Sequence, residues 1–537
     1  MTTVEPEEPV ANGGTGSQLL RSSAVVAVGT GLSRVTGLAR TVAQGIVLGE
    51  IVGSIYSGAN TVPNLLYDLL LGGVLAATMV PVFVENRENH DDDATSAVVT
   101  VLGLALFVVT GVALLAAPIL GVILAPTVSP EQQSQARSVT TLLLVMFLPQ
   151  IFFYGATTLA SGLLNAHRRF AAAAFAPVLN NIVTIIVLGL FSARVGTDPT
   201  IGDLTANTWL LVLLGIGTTA GIVAQTVVLI PAIRHARINL HWRFDLRSPS
   251  VRSVVRLSGW TFGYVLVNVV TVGIIIVFAE KATESFSTAA YNYAYQFFQL
   301  PYGLLAVSVI TAFLPELTRL ALSGDRNGFG ERFMLALRLT LLLVVPVTAG
   351  YLVLAEPIMA VFFNYRSLDQ ADTMLIGTTL LTFTVGLPSF ALYLLSMRGF
   401  YAFKDTRTPF LINIGECALT LVLAVLLRSH GAPGLALAFA LGYLPFAFVA
   451  IGLLHRKAGG LPWRSSVPSL VRITAAGVIT ALAVSGASLL VGGDAGIPAL
   501  ERVIAGVIVG VLVYLGACFV LRVAELRQGI AIVRHPG

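Results

Sequence analysis

Charge is what this 537-residue chain has least of. Only 11% of its residues are Asp, Glu, Lys or Arg, where a soluble globular protein carries about 25%. That scarcity excludes a cytosolic enzyme or a nucleic-acid-binding protein. Lysine is nearly missing, with Lys281, Lys404 and Lys457 the only three. Cysteine is almost as rare: Cys417 and Cys518 lie far apart inside apolar runs, which excludes a disulfide framework and a cysteine metal site. Both read as small buried hydrophobes. No glycine-rich phosphate loop precedes a lysine, the seven histidines are scattered, and no loop is long enough for a nucleotide-binding domain. The chain is therefore expected to be no enzyme and to need neither metal nor cofactor. The first 20 residues are acidic and carry Gly, Ser and Thr, whereas a cleavable signal peptide would set an apolar run behind a positive start.

Apolar residues are plentiful, at 56%, and they come in runs. A membrane-crossing helix needs about 20 mostly apolar residues. Charge-free stretches of that order cover residues 94–130, 138–166, 170–193, 204–233, 257–279, 285–315, 373–397 and 429–455, and two more close the chain. With the Gly- and Pro-punctuated stretches added, fourteen spans are expected: 22–48, 52–84, 96–125, 138–165, 172–193, 207–233, 252–279, 287–316, 332–362, 373–397, 408–427, 432–454, 470–492 and 502–522. Placing the N-terminus inside puts 24 of the 32 Lys and Arg on inner segments and six on outer loops, with Arg34 and Arg40 inside the first span. This asymmetry obeys the positive-inside rule and predicts an all-α membrane protein with both termini cytoplasmic.

An internal repeat divides the chain. The second span ends in LAATMVPVFVENRE with Pro81, and the eighth ends in VSVITAFLPELTRLA with Pro315. The fourth-to-fifth junction carries Pro177 and the tenth-to-eleventh carries Pro409. Each landmark recurs six spans later, and an even number of spans preserves orientation. The repeat is therefore parallel, about an axis along the membrane normal, as in transporters that rock around a central cavity. The expected organisation is a disordered tail (1–21), an N-lobe of six spans (22–235), a basic linker (236–251), a C-lobe of six spans (252–456), a final helix pair (468–523) and a C-terminal tail (524–537). The linker is expected to serve topology and to attract anionic lipid heads.

Several segments together resemble the MurJ/MviN family of the multidrug/oligosaccharidyl-lipid/polysaccharide exporter superfamily. They are Ser33-Arg34-Val35-Thr36-Gly37-Leu38-Ala39-Arg40, Pro63-Asn64-Leu65-Leu66, Val80-Pro81-Val82-Phe83, Leu164-Asn165-Ala166 through Pro177, Leu300-Pro301-Tyr302-Gly303-Leu304, and Phe400-Tyr401-Ala402-Phe403-Lys404-Asp405-Thr406-Arg407-Thr408-Pro409. The resemblance runs from about residue 22 to 525. It implies a flippase that carries undecaprenyl-pyrophosphate-linked disaccharide-pentapeptide, lipid II, across the bacterial plasma membrane for cell-wall synthesis. It further implies a cationic cavity between the lobes, a groove at the last two helices for the lipid tail, and peptidoglycan-synthesis proteins as partners. The chain departs from the family at several charges. The Asp that usually follows the second arginine is Thr41, the first outer acidic residue aligns with Ser54, and the Arg after P-N-L-L aligns with Tyr67. The family's Y-A-D-R-x-x-E pattern reads Tyr293-Ala294-Tyr295-Gln296-Phe297-Phe298-Gln299.

The candidate site residues fall into two groups. A central membrane arginine costs about 2.5–3.5 kcal/mol on insertion scales, so Arg34 and Arg40 need a wet cavity or an interface. They lie about 9 Å and roughly 120° apart on a straight helix, and Gly29, Gly31, Gly37 and Gly45 allow it to bend. Two guanidinium forks suit a pyrophosphate. Ser33, Asn64, Gln296 and Gln299 complete the substrate group, the two glutamines either bonding sugar or peptide or gluing helices together. Glu416, with Asn413, Asn268 and Asp68, forms the second group, read either as a proton or cation coupling site or as structural polar packing, in which Asp68 would pair with Arg40 or Arg34 and leave Arg34 the functional cation. Asn180, Asn181, Gln150 and Gln225 read as helix glue. Two other readings stay open: a cation-coupled exporter of drugs or other polyprenyl-linked glycans, and a scaffold that recruits cell-wall enzymes.

Overall fold

The computed structural model describes residues 13–69, 75–126, 128–167, 169–196, 199–281, 286–364, 368–491, 493 and 496–526. Each expected span overlaps helix over most of its described residues. The first is α1 (Gly13–Leu48), and the second is shared by α2 (Glu50–Leu69) and α3 (Leu75–Glu88). The third is α4 (Asp92–Leu124), the fourth α5 (Gln133–Phe147) with α6 (Gln150–Ala166), and the fifth α7 (Phe170–Val195). A short α8 (Ile201–Ala206) leads into the sixth, α9 (Thr208–Val227) with α10 (Leu229–His235), and α11 (Pro249–Glu280) is the seventh. The eighth runs through α12 (Ser287–Pro301), a π-helical turn (Tyr302–Ala306) and α13 (Val307–Ser323). Then come α14 (Arg326–Phe363), the pair α15 (Gln370–Val385) and α16 (Leu387–Ala402), α17 (Arg407–Leu427) and α18 (Gly431–Lys457). The last two are α19 (Trp463–Leu490) and α20 (Gly496–Val520).

Two corrections concern boundaries. Helix α1 starts at Gly13, inside the stretch assigned to a disordered tail. Several single spans are broken where proline removes a backbone donor and crowds the preceding turn. The fourth breaks at Leu148–Pro149, the eighth turns π-helical after Pro301, and the tenth bends by 49° at Gly386, ahead of Pro388. Length and apolar content alone select nine helices among the described residues as able to cross a bilayer, or ten if the bent pair counts as one. The helices that fall short include α1, with two arginines, and α12, with its YNYAYQFFQ run. Polar spans of this kind belong beside water.

The two halves repeat one packing pattern. In the first half α1 lies on α7, α7 on α9, α4 on α5 and α6, and α2 on α5. In the second half α11 lies on α17, α17 on α18, α14 on α15 and α16, and α13 on α16. Helices α19 and α20 pack together and against α14. Lipid gives helices little hydrophobic reason to associate, so interhelical hydrogen bonds and close packing hold them, each bond contributing about 0.6 kcal/mol. Gln150 donates to Thr219 Oγ1 at 2.9 Å, and Thr157 and Thr226 share a 2.9 Å bond. Segments that the charge count puts on one side do meet: Arg87 donates to the Ala166 carbonyl at 2.8 Å, Lys457 pairs with Asp405 at 2.6 Å, and Ser250 donates to Asn86 at 2.8 Å. This is the basic end of the molecule.

Candidate functional site

A cavity of about 640 Å³ opens between α1, α2 and α7 of the first half and α12 of the second. All six residues of the substrate group line it: Ser33, Arg34, Arg40, Asn64, Gln296 and Gln299. Arg34 is exposed in it and makes no hydrogen bond or ion pair among the described residues. Its guanidinium rests over Gly303 in the π-helical turn, where a Cβ would stand 3.2 Å from Cζ. Glycine at this position lets the arginine lie flat against the second half. Arg40 sits about one and two-thirds turns further along α1, and its Nε is buried with no hydrogen-bond partner among the described residues. Both cations therefore face the cavity with no counter-charge among the described residues.

The polar walls are built by neighbours that hold one another. Asn181 of α7 donates to the Ser33 carbonyl at 3.1 Å and to Thr36 Oγ1 at 3.0 Å, fixing α1 between its two arginines. Asn64 accepts from Tyr154 at 3.0 Å. Thr41 donates to Gln296 Oε1 at 2.7 Å. These are two of the positions where the chain lacks the charges usual in the family it resembles, so a neutral hydrogen bond joins α1 to α12 there. Sequence reasoning missed Asn60, Thr61 and Asn292, which also line the cavity. Asn292 donates to Thr61 at 3.4 Å, and the Asn60 side-chain Oδ1 is buried without a partner among the described residues. Helical spacing carried the signal: Asn60 lies four residues before Asn64, and Asn292 four before Gln296.

The coupling group lies elsewhere. Glu416, Asn413 and Asn268 meet between α17 and α11, and none of them lines the cavity. Asn268 donates to Asn413 Oδ1 at 2.9 Å, and Thr420 donates to Glu416 Oε1 at 2.8 Å. Cys417 donates to Glu416 Oε2 at 3.3 Å and accepts from Asn413 at 3.6 Å. The reading of Cys417 as a mere hydrophobe is thus corrected: it belongs to a buried polar chain. Cys518 does sit among apolar side chains. The side chain of Asp68 lies outside the described residues.

The Lys404-Asp405-Thr406 element is a helix start rather than part of the cavity. Asp405 accepts from the Thr408 amide at 3.0 Å and from its hydroxyl at 2.7 Å, besides its pair with Lys457. Partial burial works to raise this carboxyl, but the Lys457 and Thr408 bonds outweigh it and hold it below its ordinary value.

Comparison with known proteins agrees with this architecture. The family model described as lipid II flippase MurJ matches residues 47–493. A Burkholderia cenocepacia protein named lipid II flippase MurJ is 31% identical over 415 residues, 75% of this chain and 77% of its own length. A probable lipid II flippase MurJ of Rhizobium meliloti is 29% identical over 493 residues, covering 89% and 87%. A solved structure of lipid II flippase MurJ in an inward closed conformation superposes with a TM-score of 0.73 at 20% identity, over 93% of this chain and 99% of that one. An inward-facing multidrug resistance transporter of the MATE family, in the MOP superfamily, gives 0.66 at 13% identity, over 80% and 94%. With its model matched across most of the chain, and a 31% identical relative spanned over three quarters of its length, the chain belongs to the MurJ family of lipid II flippases.

Proposed function

We propose that this protein moves lipid II from the inner to the outer leaflet of a bacterial plasma membrane by alternating access, with both termini in the cytoplasm. The observation that carries this reading is a pair of arginines, Arg34 and Arg40, facing one cavity with no anion among the described residues to balance them. Holding two such cations at membrane depth costs several kcal/mol, and a bound pyrophosphate offsets that cost through bidentate hydrogen bonds. In the proposed cycle the two guanidinium groups grip the pyrophosphate while the amides of Gln296 and Gln299 contact sugar or peptide. Arg34, lying over Gly303, senses the approach of the two halves, and rocking about the cavity carries the head across. The apolar outer faces of α19 and α20, with Leu482, Leu489, Leu490 and Leu512 exposed, serve the undecaprenyl tail. The excess of Lys and Arg on the basic end supports the orientation.

The same arginines, without a counter-charge among the described residues, disfavour a pure scaffold, which gains nothing from positive charge held in a cavity at membrane depth. The Glu416–Asn413–Asn268 cluster is proposed to couple transport to a proton or a small cation, and its separation from the cavity suits a coupling site distinct from the substrate. The test is a flipping assay with purified protein in vesicles that hold lipid II or other polyprenyl-linked glycans. Transport of lipid II above protein-free vesicles is expected. Transport of another glycan lipid in its place, or of neither, would overturn the reading.

A further inference from the structure

Between α10 and α11 the chain runs as a strap that is neither helix nor sheet, and its side chains alternate. Odd-numbered residues reach the start of α4. Asn239 donates to Asp92 at 3.4 Å, His241 pairs with Asp93 at 3.0 Å and meets Ser96 at 3.3 Å, and Arg243 bonds Asp93 and, through its amide, Thr100 at 3.2 Å. Two residues of extended chain advance about 6.6 Å and four residues of helix about 6 Å, so the strap keeps step with α4 along positions 92, 96 and 100. Even-numbered residues from 240 to 246 face away and are apolar: Leu240 is 39% exposed, Trp242 77%, Phe244 54% and Leu246 58%.

We infer that this apolar edge is sunk into the surface of the lipid leaflet at the basic end and binds anionic lipid head groups. Continuity with the lipid-facing side of α4 supports this. One helical turn beyond Thr100, the exposed residues of α4 become Leu104, Phe107, Val108 and Val109, so the strap lies at the depth where hydrocarbon begins. Tryptophan favours that boundary. Charge complementarity supports it too: Arg237, Arg247 and Arg252 are exposed and make no ion pair among the described residues, each attracting an anionic surface. Of the carboxylates nearby, Asp93 is engaged by His241 and Arg243, Asp245 by the amides of residues 247 and 248, Asp92 by Asn239 and Asp91 by the Ala94 amide, while Glu85 and Glu88 are exposed at the same end. Since the strap joins the two halves, its lipid contact fixes the depth of the joint around which they rock.

The experiment uses the full chain carrying Trp209→Phe, Trp260→Phe and Trp463→Phe, which leaves Trp242 as the single fluorophore, in vesicles of phosphatidylcholine with or without phosphatidylglycerol. Trp242 is expected to be quenched by lipids spin-labelled near the head group more than by lipids labelled deep in the chain, and to be shielded from aqueous acrylamide. Its preference for labelled phosphatidylglycerol over labelled phosphatidylcholine should fall on Arg237→Glu and Arg247→Glu, by up to roughly fivefold per arginine. Both side chains are exposed, so circular dichroism should stay unchanged. Free access of acrylamide to Trp242 with no lipid quenching would overturn the proposal and leave the edge to a protein partner. Equal quenching by both lipids in the parent would overturn its anionic part.

Discussion

Arg34 rests on glycine and meets no counter-charge among the described residues, so its loss should affect substrate more than fold. A charge-assisted hydrogen bond contributes about 1.5–3 kcal/mol. Arg34→Ala should therefore weaken binding of purified protein to the lipid-linked substrate by roughly tenfold to a hundredfold or more, and should fail to sustain a strain that depends on this gene at matched membrane levels. Arg34→Lys keeps the charge without the planar fork and should fall between. Growth and binding like the parent would remove the cationic cavity from the mechanism. The arginines were legible in the sequence because a membrane charge is costly wherever it sits. The Thr41–Gln296 bond was not, since nothing local links residues 255 apart. Its test is a cycle: Thr41→Asp and Gln296→Arg should each lower the melting temperature in detergent. Together they should recover an interaction of about 0.5–3 kcal/mol as an ion pair forms. Strict additivity would show that the two positions do not act as partners.

At the level of elements, the last helix pair is held by an ion pair beyond α20. Glu525 is buried and lies 2.8 Å from Arg338 of α14, while Ser469 of α19 donates to its other oxygen. Removing one partner of a buried pair costs about 3–5 kcal/mol, because the other is left uncompensated. Glu525→Ala should thus lower the melting temperature and expose the α19–α20 pair to limited proteolysis, and a parent-like digestion pattern would show that packing on α14 alone suffices. The helices themselves were readable from charge-free runs, since length and apolarity are all that a bilayer demands of them. Their breaks were harder to see. Pro149 and Pro388 disrupt the fourth and tenth spans, whereas Pro118, in α4, and Pro177, in α7, leave theirs continuous, because neighbouring helices decide whether a freed carbonyl is tolerated. The helical start at Gly13 was hidden for a related reason: its polar composition suits a tail as well as an end that leaves the membrane.

The molecule as a whole carries its orientation in its arginines and its duplication in its packing. Both native cysteines are buried, so single cysteines placed on exposed loops report sidedness directly. Ser129→Cys and Asn207→Cys should react with an impermeant thiol reagent in intact cells, and Asn89→Cys and Ser465→Cys only after permeabilisation. Reversal at two of these sites would break the topology. The repeat was visible as proline landmarks six spans apart, yet the asymmetry of its use was not. The cavity draws mainly on α1, α2, α7 and α12, whereas Glu416, buried like Glu280 and Glu525, lies in the second half. Glu416 therefore decides whether that half acts as an energy converter or as inert packing. Its two oxygens already accept from Thr420 and Cys417, and Glu416→Gln preserves size and most of this bonding, so the fold should survive. If Glu416 couples, the variant should still exchange lipid II downhill while losing the acceleration that an imposed proton or cation gradient gives the parent in vesicles. An unchanged response to the gradient would assign the carboxyl to helix packing and move the driving force to the membrane potential acting on the cavity arginines.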